Sequence, residues 1–397
     1  MNRRTFLQTT AASTVLLPSL QALAVPKSTA AIHPPSEEFL SRLPALMELA
    51  TLPGLGMAVI RPGLPVWQYY AGVANFNTKS PITADSLFPG CSLGKPLFSC
   101  LVLRLAEEGK LDLDRPLNTY LKDDALTGPW GDKVTSRHVL SHTTGLPNWR
   151  WQNDQKLTPA FEPGSRFGYS GEGFFHLQRV IEHVTGTGFE SLMKERIFKP
   201  LNMNSSTFLW LPEANNRIVA GHRGTDPFYN RDLAIDVFNI IQSTGEPLSF
   251  WTYDEIASSL MKKFNRTTPP PPNEFIPNVA FSLLTTPSDY ARFLSALVST
   301  TETSLGLSPA MRAAMQTPVS RINSALSWGL GIAVEKTETS SYLWQWGDNG
   351  GWKNFILAHP PTKTAIAVFT NGSNGQHVNE RILRAATGVD HPAFLWI

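Results

Sequence analysis

The stretch Phe88-Pro89-Gly90-Cys91-Ser92-Leu93-Gly94-Lys95 carries the residues on which the interpretation of this chain depends. Its Pro-Gly pair forms a tight turn into a helix. The apolar residues that follow recur at helical spacing up to Gly109, which predicts a helix starting near Ser92. Residues three apart share one helix face, so the Lys95 Nζ can reach the Ser92 hydroxyl. Burial of the lysine favours its neutral form, which can act as a base. The stretch therefore predicts Ser92 as nucleophile and Lys95 as its activator.

The Ser-x-x-Lys spacing alone is a weak signal, because it occurs twice more in this chain. Ser191 with Lys194, and Ser259 with Lys262, have the same spacing. Both of these copies lie in polar helical stretches, which we interpret as solvated helix faces.

Residues 90–94 also spell Gly-x-Ser-x-Gly, the nucleophile elbow of α/β-hydrolases. That motif requires a buried strand before the serine and an Asp and a His after it. Pro89 interrupts the preceding residues, which makes them a poor strand. Asp348 followed by His359 or His377 would nevertheless supply the required order, so this alternative stays open.

Composition restricts the class of protein and of partner. The chain has 397 residues, of which 42% are hydrophobic and 17% charged, with a formal net charge of +2. This length and composition indicate a globular protein with a substantial core. Runs of like charge that would bind nucleic acid or an anionic membrane are missing from the sequence, so we expect a small-molecule or peptide substrate. Since neither metal-ligand spacing nor a phosphate loop stands out, we expect no metal and no cofactor. The oligomeric state is left open.

Residues 1–24 have the features of an export signal. The pair Arg3-Arg4 resembles a twin-arginine motif, a short apolar stretch follows, and Ala22-Leu23-Ala24 fits a signal-peptidase site. The apolar stretch is too short to span a bilayer. We therefore predict a twin-arginine-type signal peptide, a linker over 25–35, and a periplasmic or secreted mature protein without an integral membrane segment.

The order of predicted elements indicates an α/β (α+β) fold with one main domain over 36–390. The predicted strands lie near both ends of the chain, and helices lie between them, which predicts an antiparallel sheet flanked by helices (about 36–90 and 280–390) with an inserted mostly helical region (about 91–279). Helices are predicted at 36–50, 136–142, 171–184, 189–198, 286–298 and 380–387, and strands at 54–60, 65–74, 329–334, 341–346, 352–359 and 364–371.

Several strings taken together resemble those of the serine β-lactamase-related family, which includes class C β-lactamases, D,D-peptidases and some esterases. The resemblance covers residues 36–385 and implies a β-lactamase/transpeptidase-like fold. It rests on the Ser92–Lys95 helix and on Leu111-Asp112-Leu113-Asp114-Arg115-Pro116-Leu117, Val139-Leu140-Ser141-His142-Thr143-Thr144-Gly145-Leu146-Pro147, Pro163-Gly164-Ser165-Arg166-Phe167-Gly168-Tyr169-Ser170 and Leu284-Thr285-Thr286-Pro287-Ser288-Asp289.

The resemblance implies roles for further residues. Tyr169, in Tyr169-Ser170-Gly171, becomes a general base or proton relay, with its phenolate favoured by the Lys95 ammonium. The backbone N–H groups of Ser92 and Asp348 become the oxyanion hole. His142 is expected to be a structural, hydrogen-bonding histidine.

Two departures from the family pattern affect substrate recognition. Gly171 replaces the family Asn that holds an acylamide, and the third motif is Gln345-Trp346-Gly347 instead of Lys or His, any residue, then Gly. Gln345 is neutral, so the cation that attracts a substrate carboxylate is missing, and Trp346 replaces a residue that is often a small hydroxyl residue. We therefore expect Gly171, Gln345, Trp346 and Gly347 at the substrate site, with intact chemistry and weakened recognition of β-lactams.

Three functions are compatible with these residues. The favoured one is an active-site serine hydrolase that acts through an acyl-enzyme on an ester, amide or lactam carbonyl, with esterase-like activity preferred. The second is a true β-lactamase or D,D-carboxypeptidase, and the third is a non-catalytic penicillin-binding or sensor protein. Trp149, Trp151 and Trp210 are candidates either for the cleft or for the core.

Overall fold

The computed structural model describes residues 31–122, 126–151, 155–210, 214–229, 232–301 and 304–397. The predicted signal peptide and the linker up to residue 30 lie outside the described residues. The main feature is a large antiparallel sheet with strands from both ends of the chain. The strands are β1 (Gly54–Ile60), β2 (Trp67–Asn75), β3 (Ser80–Pro81), β4 (Phe88–Cys91), β5 (Gly221–Arg223), β6 (Asp226–Phe228), β7 (Leu283–Thr285), β8 (Ser320–Arg321), β9 (Leu326–Trp328), β10 (Ala333–Lys336), β11 (Ser341–Asp348), β12 (Lys353–His359) and β13 (Thr364–Thr370).

Most of the helices lie between the two groups of strands. Several of them begin with a side-chain cap. At the start of the helix over Gly171–Thr185, the Ser170 Oγ accepts a hydrogen bond from the Gly173 N–H at 2.9 Å. The helices are α1 (Glu37–Leu49), α2 (Gly94–Glu107), α3 (Ser136–Leu140), α4 (Gly171–Thr185), α5 (Phe189–Met193), α6 (Asp232–Thr244), α7 (Tyr253–Phe264), α8 (Pro287–Val298), α9 (Pro309–Gln316) and α10 (Gly375–Thr387).

The central strands β1, β12 and β13 of the sheet are buried on both faces. Its order is β3-β2-β1-β13-β12-β11-β10-β9-β8. Successive side chains of a strand point to opposite faces, and in β13 Ala367 and Phe369 join the core that contains α2 and α8. Ile366 and Val368 join the core that contains α1 and α10. The C-terminal end of β11 lies at the site described below.

The predicted fold class is confirmed, with local differences. The strand predicted at 329–334 begins at Ala333 because Gly331 turns the chain with a φ of 96°. The short strands β8 and β9 precede that turn and were not predicted. In the described part of the chain, we find no helix that combines the length and apolar character needed to cross a membrane.

Candidate active site

Ser92 and Lys95 meet at the entry to α2. Cys91 ends β4 with a φ of 54°, and this left-handed residue turns the chain, so that α2 begins at Gly94, close to the predicted start near Ser92. The Lys95 Nζ lies 2.9 Å from the Ser92 Oγ and donates a second hydrogen bond to the Ala280 carbonyl at 3.1 Å. Ser92 is partly exposed, whereas Lys95 is buried. The serine can therefore meet a substrate while the amine behind it is shielded from water.

Burial changes the protonation of Lys95. It lowers the pKa of the amine from its usual value to about 7, and the nearby Cys91 only partly opposes this. A substantial fraction of the amine is therefore neutral at neutral pH. In the neutral form the amine keeps two N–H groups, one of which can donate to the Ala280 carbonyl, and its lone pair can accept a hydrogen bond from the Ser92 hydroxyl. Lys95 can accept the proton of Ser92 when the serine attacks a carbonyl carbon.

The other two Ser-x-x-Lys copies lack this environment. The side chains of Lys194 and Lys262 are exposed, which agrees with the prediction of solvated faces. Of the lysines in the three copies, only Lys95 is buried.

The fold excludes the α/β-hydrolase alternative. The strand before Ser92, β4, pairs with β7 in a separate two-stranded antiparallel sheet. Asp348 in β11 pairs with Lys353 at the start of β12, whereas His359 lies at the other end of β12. The His359 ring forms hydrogen bonds with Ser340 and Thr362. His377 is exposed on α10. These histidines therefore do not form a triad with Ser92.

Tyr169 lies on the loop before α4 and faces the nucleophile. Its hydroxyl is directed toward Ser92 and Gln345, but none of the described residues forms a hydrogen bond of good geometry with it. Burial raises the pKa of the phenol above its usual value. Lys95 does not favour the phenolate as expected, because its Nζ lies 5.1 Å from the centre of the ring and burial dominates. Tyr169 is thus suited to donating or relaying a proton.

His142 holds Tyr169 in place. Its ring stacks on that of Tyr169 with centroids 4.2 Å apart, and its Nδ1 accepts a hydrogen bond from the Ser170 N–H at 3.1 Å. Burial, followed by the charge of Lys95, lowers the pKa of the imidazole well below its usual value. The neutral, hydrogen-bonded ring of His142 therefore fits the structural role that the sequence predicted for it.

The end of β11 lies against the turn of the nucleophile. A Cβ on Gly347 would come within 2.4 Å of the Gly90 carbonyl oxygen and 3.2 Å of the Cys91 Cβ. Only glycine permits this approach of β11 to the two residues that precede Ser92. The Asp348 carboxylate binds Lys353 at 2.5 Å, on the neighbouring strand. An oxyanion hole formed by the N–H groups of Ser92 and Asp348 stays a prediction that this packing supports.

Gln345 and Trp346 replace the charged third motif by neutral groups. The Gln345 side chain is fully buried, and its Nε2 donates to the Trp346 carbonyl at 3.2 Å. Within the described residues its Oε1 has no hydrogen-bond partner. The Trp346 ring lies 4.8 Å from the Tyr169 ring. A bulky indole and an amide therefore stand where the family motif has a cation and a small residue.

At Gly171, the space that an asparagine would need is filled. A Cβ there would lie 2.8 Å from Trp149 Cζ2 and 3.0 Å from the Asn148 carbonyl oxygen. Trp149 also packs edge-on against Phe281, with centroids 6.0 Å apart. The buried pair of Arg150 with Glu172, at 3.1 Å, holds the loop that carries Trp149.

The other two tryptophans lie elsewhere, and the site has features that the sequence did not reveal. Trp151 is exposed, and Trp210 is buried in the core with α6 and α7. The carbonyl of Ala280 was missed, because a backbone group has no signature in the sequence. Among the described residues no group of His, Cys, Asp and Glu could hold a metal.

Two curated proteins are similar to part of this chain. D-alanyl-D-alanine-carboxypeptidase/endopeptidase AmpH of Escherichia coli is 24% identical over 234 residues, which cover 54% of this chain and 60% of that protein. A beta-lactamase of Pseudomonas fluorescens is 30% identical over 191 residues, covering 45% of this chain and 52% of that protein. The chain thus spans between half and three fifths of the length of these two curated relatives.

Solved structures show the same fold. The octameric penicillin-binding protein homologue from Pyrococcus abyssi superposes with a TM-score of 0.68 at 20% identity, covering 90% of this chain and 80% of that one. A class C beta-lactamase superposes with a TM-score of 0.66 at 19% identity, covering 86% and 94%. The family model described as Beta-lactamase matches residues 41–389, so that this chain belongs to the beta-lactamase family.

Proposed function

We propose that the protein is an exported serine hydrolase that cleaves uncharged esters through an acyl-enzyme. The Ser92 Oγ attacks the ester carbonyl carbon while its proton passes to the neutral Lys95 amine. The resulting oxyanion is held by the backbone N–H groups of Ser92 and Asp348. When the ester C–O bond breaks, the departing alkoxide takes a proton from the Lys95 ammonium through the Tyr169 hydroxyl. Water then attacks the acyl-enzyme, and the acid leaves as Ser92 recovers its proton.

The observation that carries the preference for esters is the neutral third motif. Gln345 brings no charge to the site, and Trp346 fills space beside Tyr169. A substrate carboxylate would lose its hydration there without gaining a cationic partner. Gly171 and the Trp149 ring leave no room for an amide side chain that would hold an acylamide. An ester substrate needs neither of these contacts.

Two chromogenic substrates test the proposal. We expect kcat/KM for p-nitrophenyl butyrate to exceed that for nitrocefin by at least about 100-fold, because lactam recognition lacks two contacts. Ser92→Ala supplies the blank, and a fluorophosphonate should label Ser92 in the unmodified protein. Strong nitrocefin hydrolysis with negligible ester turnover would overturn the preference.

A second candidate function comes from the relatives. One is named a D-alanyl-D-alanine-carboxypeptidase/endopeptidase and another a beta-lactamase. Release of D-alanine from a D-alanyl-D-alanine peptide, at a rate above that for the ester, would support this candidate. A stable adduct of labelled penicillin on Ser92 with no turnover of any substrate would instead indicate a non-catalytic penicillin-binding or sensor protein.

Export through the twin-arginine route is part of the proposal. It rests on Arg3, Arg4 and the Ala22-Leu23-Ala24 sequence. Replacing both arginines by lysine should leave the protein in the cytoplasmic fraction of an expressing bacterium, with its first 24 residues uncleaved. Normal cleavage and release of that variant would contradict this route.

A further inference from the structure

Partly exposed aromatic rings connect the active site with the C-terminal segment. The Trp346 ring lies 4.8 Å from Tyr169, and Trp396 meets Trp346 edge-on with centroids 5.3 Å apart. Phe167 lies 5.8 Å from Trp396. These four rings are all partly exposed. Phe167, Tyr169, Trp346 and Trp396 are together called the aromatic surface below.

Trp396 is held in this surface by contacts of the segment that carries it. The buried Glu335 carboxylate binds the His391 Nδ1 at 2.5 Å and accepts the Ala393 N–H at 3.2 Å. Phe394 stacks on Phe355 with centroids 4.4 Å apart. These contacts hold the C-terminal segment against the sheet. A ligand that meets Trp396 therefore loses little free energy in ordering the segment.

The aromatic surface is backed by buried rings and is neutral. Trp328 and Trp344 are fully buried, and Trp328 packs edge-on against Tyr169 at 5.8 Å. The members of the surface carry no charge, and neither does Gln345 beside them. A charged group on this surface would lose hydration without a partner, whereas an aromatic ring would replace water by edge and face contacts.

We propose that the aromatic surface binds an uncharged aryl group of the ester substrate, and that Trp396 is a specificity-determining residue. This inference rests on the proposed ester hydrolysis at Ser92. Tyr169 belongs both to the aromatic surface and to the surroundings of Ser92, so the aryl group lies next to the carbonyl that the serine attacks. The group belongs to either the acyl or the alcohol half of the ester, and matched substrates distinguish the two.

Each half of the ester is tested with a pair that keeps the reacting bond similar. Benzyl acetate against ethyl acetate tests the alcohol half, and ethyl 3-phenylpropanoate against ethyl butyrate tests the acyl half. Hydrolysis is followed by pH-stat with the unmodified protein and with Trp396→Ala. Leu395→Ala is the matched control, because Leu395 is its neighbour in the same segment and is 91% exposed.

We expect Trp396→Ala to lower kcat/KM for at least one aryl ester by about tenfold, with its alkyl partner changed less than about twofold. Leu395→Ala should behave like the unmodified protein. Equal losses for aryl and alkyl esters, or no loss for either, would overturn the inference. Thermal melting of each variant verifies that the fold is retained.

A binding measurement separates this inference from the proposed function. Benzylboronic acid and methylboronic acid both add to a serine nucleophile, and their affinities can be measured by tryptophan fluorescence without turnover. Tighter binding of benzylboronic acid, lost in Trp396→Ala, would support the aromatic surface even if no ester is hydrolysed. Ester hydrolysis with no aryl preference in either assay would remove the inference and leave the proposed function intact.

Discussion

The Lys95 Nζ lies 2.9 Å from the Ser92 Oγ, and the same amine is held by the Ala280 carbonyl at 3.1 Å. The three atoms come from the first turn of α2, the turn before it and a segment that precedes β7. The carbonyl binds the lysine in either protonation state, so it orients the amine without fixing its charge. Burial sets that charge, by lowering the pKa to about 7. Geometry and protonation thus arise from different parts of the fold.

The pH dependence of hydrolysis should follow the protonation of Lys95. Its neutral form is needed to accept the Ser92 proton, and this form predominates above pH about 7 because burial lowers the pKa. For a neutral ester, kcat/KM should therefore rise about tenfold per pH unit below 7 and become level above it. Lys95→Met should lower the rate by at least about 10³-fold. Unchanged acid inhibition in that variant would assign the titration to another group.

Tyr169→Phe should have a smaller effect than Lys95→Met. Since burial raises the pKa of the phenol, Tyr169 keeps its proton near neutral pH and serves the departing alkoxide. We expect the variant to lose about 10²-fold in kcat/KM for an ethyl ester. The loss should shrink for a p-nitrophenyl ester, whose leaving group departs without a proton. Equal losses for the two esters would contradict a role in leaving-group protonation.

Candidate catalytic residues could be proposed from the sequence because side-chain identity and order are visible in it. Ser92, Tyr169 and Gln345 come from three separate segments, and the resemblance to a family was needed to group them. The turn at Cys91 could not be predicted, because its left-handed φ has no signature in the residue type. The raised pKa of Tyr169 could not be predicted either, because it depends on burial by residues from distant segments.

Trp396 shows a second limit of sequence analysis. Its approach to Trp346 depends on a C-terminal segment that is anchored by Glu335 in β10. This anchoring involves residues more than fifty positions apart, and no local pattern indicates it. Tertiary packing therefore adds an element of the substrate site that neither spacing nor composition predicts.

A cation introduced at position 345 should restore binding of carboxylate-bearing substrates. Gln345→Lys should raise kcat/KM for nitrocefin by about 10-fold or more, since a hydrogen bond to a charged group contributes about 1.5–3 kcal/mol. The new charge should also lower the pKa of Lys95 by repulsion. The rise of kcat/KM with pH for ester hydrolysis should then occur below pH 7. Gln345→Met is the control, because it removes the amide without adding charge. Nitrocefin hydrolysis that improves equally in both variants would argue against a charge effect.

Packing at Gly171 predicts a coupling between two residues. A Cβ at this position meets Trp149 Cζ2 at 2.8 Å, so Gly171→Ala should lower the free energy of unfolding by about 1–3 kcal/mol. Alanine favours helices more than glycine does, so propensity alone predicts the opposite sign. In a Trp149→Ala background the same change should lose part of its effect, because the ring is gone while the Asn148 carbonyl oxygen still lies 3.0 Å from the Cβ. The four proteins are compared by urea unfolding as a double-mutant cycle.

The control for this cycle is Gly173→Ala, in the same first turn of α4. Its nearest atom to a Cβ is the Ser170 Oγ at 3.3 Å, and no ring lies among its nearest atoms. It should change the free energy of unfolding by less than about 1 kcal/mol, since the gain in helix propensity is of that size. If Gly171→Ala were as mild as this control, both Trp149 and the Asn148 carbonyl group would have to move away readily. The site would then have room for the asparagine of the family motif, and the preference for esters would depend on Gln345 and Trp346 alone.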